Sequence, residues 1–189
     1  DAGTTYEGQY LTATGVNGET FTLTGTGDAS NLASKNVQTN QALSTVTGLS
    51  LGTSSNGGLS GNYNSIGTTG SSVSVTAKAL TLTAVSDTKT YDGNTSSTGT
   101  VSVAGLVGTD QVTATQAFAS KDVKGANGST LQVNSGYTIS DGNSGGNYSV
   151  TTGTATGTIN KANLSLSGTR VYDAGTTYEG QYLTATGVN

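Results

Sequence analysis

The chain has 189 residues, 29 of them glycine, and carries no proline, cysteine, histidine, methionine or tryptophan. Without His or Cys, the common catalytic triads, thiol nucleophiles and His/Cys zinc sites are excluded. A net charge of −4 without a Lys/Arg stripe argues against nucleic acid as a partner, and no apolar run approaches the roughly 18 residues that membrane insertion needs.

The remaining apolar residues are mostly β-branched or aromatic and alternate with Thr and Ser, the period-two pattern of half-buried strands. Only 10% of residues are charged, too few to hold the chain expanded, so an all-β fold with Gly and Asn in its turns is expected. At 32% hydrophobic the core is thin. A module of about 85 residues buries only about 60–65% of its unfolded surface, so stacking of neighbouring modules is expected to supplement it. The absence of Cys and Met is read as an interior stretch of a larger secreted polypeptide.

In chain order, strands are predicted over Gln9–Thr14, Thr20–Thr24 (Phe21 and Leu23 on one face), Ala42–Thr47 and Ser72–Thr76 (Val73 and Val75 together). Asn17-Gly18 is the strongest hairpin signal, because both residues accept positive φ. A short helical turn is placed around Ala29–Lys35. Further strands are predicted at Leu80–Ala84, Thr100–Ala104 (Val101 and Val103 on one face), Gln111–Ala117, Thr130–Val133, Tyr137–Ser140, Tyr148–Thr152 and Ala155–Asn160. Spacings of about 8–12 residues between turn signals suggest small β-sandwich-like modules, with a β-grasp-like arrangement as the alternative.

Residues Asp173 to Asn189 repeat Asp1 to Asn17 without a mismatch, 172 positions later. Such a run marks tandem repetition, which should be settled before any other reading. A weaker repeat lies inside that period. Lys78 leads to Tyr91-Asp92-Gly93 as Lys161 leads to Tyr172-Asp173-Ala174; Ala33 to Val37 matches Ala119 to Val123; Gly61 to Tyr63 matches Gly146 to Tyr148. The expected layout is therefore residues 1–78 as a first module lacking its leading strand, 79–160 as a complete second module, and 161–189 as the start of another first module. Asn163 to Tyr172 would carry the missing strand, and the two identical segments are expected to share one conformation and one pairing.

Taken together, Lys78-Ala-Leu-Thr, Tyr91-Asp-Gly-Asn-Thr, Phe118-Ala-Ser-Lys-Asp-Val123 and Gly146-Asn-Tyr148 resemble the YDG-type tandem repeat of filamentous-haemagglutinin-like, two-partner-secretion bacterial exoproteins. The resemblance implies a structural segment of an extracellular, cell-surface adhesin stalk or fibre, in an elongated array that serves adhesion or a biofilm matrix. Partners would be neighbouring repeats or copies, head-to-tail or by lateral strand pairing, and a host or surface glycan. Ala174 where the motif has Gly implies a rearranged turn, and Ala77 and Asn160 replace a proline often seen before the Lys.

No catalytic, cofactor or metal-ligating residue is assigned, and no enzyme activity is expected. Tyr91-Asp92-Gly93 reads as a turn: a buried Tyr ring, an Asx-turn through Asp, and Gly at positive φ. Asp141 to Asn147 gathers oxygen donors that Ca²⁺ would take, but with one carboxylate and no closing Glu it also reads as a hairpin loop. Lys35 and Lys121, beside Asn36 and Asp122, could form an isopeptide crosslink only if desolvated; a solvated Lys at a turn is the plainer reading. Asn94, Asn127, Asn147 and Asn163 open glycosylation sequons. A carbohydrate-binding module is the alternative function, through an exposed cluster of Tyr6, Tyr10 and Phe21. A glycosidase-like carboxylate pair is disfavoured, because Glu7, Glu19 and Glu179 belong to one module type only.

Overall fold

The computed structural model describes residues 10–25 and 32–188. Those residues are all-β, with short 3₁₀ turns and no α-helix. No helix among them is long and apolar enough to cross a membrane. Two compact units are present. One takes the described residues of Asp1–Ala79 with Leu106–Gln111 and Ser140–Ser149; the other takes Leu80–Gly105, Val112–Ile139 and Val150–Asn189.

The first unit contains β1 (Ala13–Thr14), β2 (Thr20–Thr24), β3 (Gln38–Gln41), β4 (Ser50–Ser54) and β5 (Val73–Val75). One sheet runs β1-β2-β4 and a second pairs β3 with β5. The β1–β2 hairpin turns through Asn17 (φ 57°) and Gly18 (φ 74°), closed by the Glu19 N–H on the Val16 carbonyl at 3.2 Å. This is the left-handed pair that the Asn-Gly sequence requires. The core is small: Leu32, Leu43 and Val73 are buried, with Leu11, Val46 and Val75 packed against them. Beside it lies a cleft of about 420 Å³, lined among others by Leu11, Ala13, Gly15, Leu23, Leu49 and Leu51.

The second unit is better packed. A four-stranded sheet runs β10 (Gln116–Phe118), β11 (Ser129–Val133), β14 (Ala155–Asn160), β7 (Thr88–Thr90), and its last pair is parallel. Strands that begin or end outside this unit's segments take part in the sheet β13 (Tyr148–Gly153), β6 (Lys78–Thr83), β8 (Ser102–Ala104) and in the pair β12 (Thr138–Ser140) with β9 (Gln111–Thr113). Ala84, Phe118, Leu131 and Ile159 form its core. Leu80 and Leu82 on β6 are fully buried, and each such side chain contributes about 1.5–3 kcal/mol of transfer free energy. Gly157 lies against this core because a Cβ there would meet Leu131 Cδ1 at 2.6 Å and the Asp87 carbonyl at 2.7 Å.

Several predicted strands take another form. Ala42–Thr47 is not a strand; the Leu43 N–H is satisfied by the Ser71 hydroxyl at 2.8 Å instead of by a ladder. Gln111–Ala117 splits into β9 and β10 because the chain changes partner, from β12 to β11. Val101 is buried but Val103 is exposed. The turn placed around Ala29–Lys35 lies partly outside the described residues, as does the start of Gln9–Thr14.

The duplicated sequence does not take one pairing. Its second copy forms β16 (Leu183–Val188), paired over six residues with β15 (Asn163–Gly168). Among the described residues of the first copy, only Ala13 and Thr14 are strand, and they pair with β2. The difference follows from neighbours: within the 189 residues β15 precedes only the second copy, and β2 follows only the first.

Candidate functional site

Two tyrosines missed by sequence reasoning as anything but repeat landmarks hold equivalent turns. The Tyr148 hydroxyl donates to Asp110 Oδ2 at 2.6 Å and accepts the Val107 N–H at 2.9 Å. The Tyr63 hydroxyl donates to Glu19 Oε2 and accepts the Val16 N–H at 2.9 Å. In both cases the acidic residue closes a turn back on the valine, at 3.1 Å for Asp110 and 3.2 Å for Glu19. Val16-Asn-Gly-Glu19 and Val107-Gly-Thr-Asp110 are thus the same element, and the shared Val-x-x-acid spacing was the signal available. Burial and the Asp110 hydrogen bond push the Tyr148 hydroxyl above its usual pKa. For Tyr63 the bond to Glu19 is the main cause of the same shift.

The Tyr-Asp turns are a second repeated element. Gly93 has φ 83°, and Asp92 Oδ1 accepts the Asn94 N–H at 3.2 Å. The expected Asx-turn is therefore present. The Tyr91 ring, however, is exposed, since it lies beyond the end of edge strand β7. In the other module Ala174 itself adopts φ 62°, and Asp173 Oδ1 accepts the Gly175 N–H at 2.9 Å. The turn is not rearranged: alanine takes the left-handed position, which costs about 1–2 kcal/mol relative to a right-handed one. A cation two residues before each Tyr braces the turn. Lys89 Nζ sits 2.8 Å from Asp92, and Arg170 Nη1 sits 2.8 Å from Asp173. The hydrogen-bonded Lys89 holds the Asp92 carboxyl below the usual range. Arg170 also donates to the Thr177 carbonyl and lies 5.2 Å from the Tyr178 ring centre.

In the Asp141–Asn147 loop the carboxylate is buried and turned onto backbone. It accepts N–H groups of Asn143 at 2.8 Å, Gly145 at 2.9 Å and Asn147 at 3.1 Å. Burial pushes this carboxyl up, but the three N–H groups outweigh it and hold it below the usual range. Among the described residues no cluster of three acidic side chains could hold a metal ion. The Asn147 side chain also accepts the Val37 N–H at 3.0 Å and donates to Asn36 Oδ1 at 3.1 Å, so that sequon amide is engaged. Asn94, Asn127 and Asn163 are exposed.

Lys35 and Lys121 are both exposed, so neither has the desolvated amine that an isopeptide crosslink needs, and Asp122 Oδ2 accepts from Ser120 instead. The proposed aromatic cluster does not assemble. Phe21 is buried and packs edge-on against Tyr63 at 5.2 Å, whereas Tyr10 is exposed; Tyr6 and Glu7 lie outside the described residues.

A further residue missed by sequence reasoning is Gln116, which lies within the predicted strand Gln111–Ala117. It is buried and clamps the backbone of Val85, accepting its N–H and donating to its carbonyl, both at 2.7 Å.

These are elements that brace turns and strand ends. A comparison with curated proteins and one with solved structures return no match. Against protein families, residues 76–157 match the YDG domain, so a YDG domain spans the stretch that holds the Lys89–Asp92 turn and the Tyr148 clamp.

Proposed function

We propose that this chain is a structural tandem-repeat segment of a secreted bacterial surface fibre or adhesin stalk. Its mechanism is mechanical. Small β-sandwich-like modules, each locked by a Tyr-held turn and a cation-braced Tyr-Asp turn, stack head-to-tail in an elongated array. Strands of up to six residues at roughly 3.3 Å per residue span about 20 Å, so each pair of modules adds a few nanometres. The observation that carries the reading is the recurrence of both elements in both modules, together with the 17-residue identity 172 positions apart. A catalytic centre placed on such a unit would recur in every copy; a brace is useful in every copy.

No enzymatic step, metal or cofactor enters this reading. The neighbours are other repeats, and the setting is extracellular. Electron microscopy of native secreted material tests it: filaments beaded at the spacing of one module pair support the stalk, and compact separate particles reject it.

A further inference from the structure

The hexapeptide Leu-Thr-Ala-Thr-Gly-Val occurs at 11–16 and again at 183–188, and it has two different neighbours. In the second copy it is a six-residue strand along β15. In the first copy it is a two-residue strand at the edge of the sheet β1-β2-β4. Such an edge is a template for another strand.

Along Leu11–Thr14 the two neighbours do not compete; at Val16 the N–H is already held by the Tyr63 hydroxyl at 2.9 Å, so a second strand there ends before Val16. The Gly15 N–H bonds the Glu19 carbonyl at 2.7 Å, so the backbone groups of Ala13 and Gly15 face β2. By alternation those of Thr14 face outward. In the second copy the counterpart of Thr14 is Thr186, and its carbonyl accepts the Ser165 hydroxyl of β15 at 3.4 Å. One edge of the hexapeptide therefore serves β2, and the other serves β15.

The side chains fit the same arrangement. In the β15–β16 pair, Leu166 lies opposite Ala185 and Leu164 opposite Gly187. Directly opposed residues project to one face. The counterparts of Ala185 and Gly187 are Ala13 and Gly15, which line the 420 Å³ cleft of the first unit. Leu164 and Leu166 are 68% and 67% exposed, whereas Leu80 and Leu82, the alternating leucines that follow Lys78 as these follow Lys161, are fully buried. Close-packed interiors hold few voids larger than a water molecule.

We propose that β15 of a second copy of this repeat unit lies along the outer edge of β1 and fills the cleft with Leu164 and Leu166. Each first-type module is then completed by a strand from the preceding 172-residue unit, and the join between units runs through the middle of a sheet. This rests on the array reading, and it adds that neighbouring units are interlocked rather than merely linked.

The test compares the 189-residue chain with one extended after Asn189 by a second copy of residues 18–78, each with and without Leu164→Asp plus Leu166→Asp. In the extended chain the substitutions lower the melting temperature of the added module by at least about 8 °C, while the transition of residues 80–159 is unchanged. In the 189-residue chain they leave thermal unfolding unaltered, since both leucines are exposed there. An equal response of the two chains, whether none or the same loss, overturns the proposal. Interlocked units without filaments in native material would sink the stalk reading alone; filaments whose modules ignore the substitutions would sink only the interlock.

Discussion

The Tyr148 hydroxyl lies 2.6 Å from Asp110 Oδ2 and at the same time holds the Val107 N–H, so one phenol fastens both ends of a single turn. Removing that oxygen strands a carboxylate and an amide that are each partly buried. Tyr148→Phe is expected to destabilise by about 1–3 kcal/mol. Tyr63→Phe is expected to have a smaller effect, because Tyr63 is half-exposed where Tyr148 is buried. Urea denaturation of the two variants checks the order.

The same bonds set an alkaline response. Both hydroxyls ionise above the ordinary tyrosine value of about 10. A group whose folded pKa is raised contributes stability that is complete below its unfolded pKa and is lost as pH rises through the folded value. Ultraviolet titration should show a late component above about pH 10, accompanied by loss of stability. Tyr148→Phe should remove part of that component.

Acid acts through Asp87 and Asp141. Asp87 is held low first by the Ser97 hydroxyl at 2.6 Å, and Asp141 by three backbone N–H groups that outweigh its burial. Folded values below the unfolded one mean that their contribution is present above about pH 4 and disappears as pH falls through the lowered values. Denaturation midpoints should hold from pH 7 to 5 and decline below pH 4. Asp141→Asn should flatten that decline at the cost of lower stability at pH 7.

Packing at Gly157 is tight enough to test directly. A methyl there meets Leu131, Phe118 and the Asp87 carbonyl within 3 Å. Gly157→Ala should therefore cost about 1–3 kcal/mol by overpacking. The control is Ala174→Gly: it relieves a left-handed alanine and should stabilise its turn by about 1 kcal/mol. Thermal melts of the two variants should shift in opposite directions.

Local signals were legible in the sequence and tertiary ones were not. The Asn17-Gly18 hairpin and the strands Thr20–Thr24 and Ala155–Asn160 follow from residues that are adjacent in the chain. Strand β3, Gln38–Gln41, has no apolar alternation and carries Asn40 at φ 52° beside an irregular register, so no period-two pattern could show it. The Gln116 clamp was not legible because its backbone partner, Val85, is distant in sequence. The braces at Lys89 and Arg170 were hidden because each motif was read from its Tyr onward, and the cation stands two residues earlier. The YDG landmarks were legible because their order and spacing needed no contact to be known, and those of residues 78–148 fall within the matched YDG domain.

The central claim is that successive units extend in line as an array. Small-angle X-ray scattering of chains with one, two and four 172-residue units tests it most directly. The array predicts a maximum dimension that doubles with each doubling of units. A compact assembly, whose size grows as about the 0.38 power of length, would rise only about 1.3-fold at each doubling and would contradict the account.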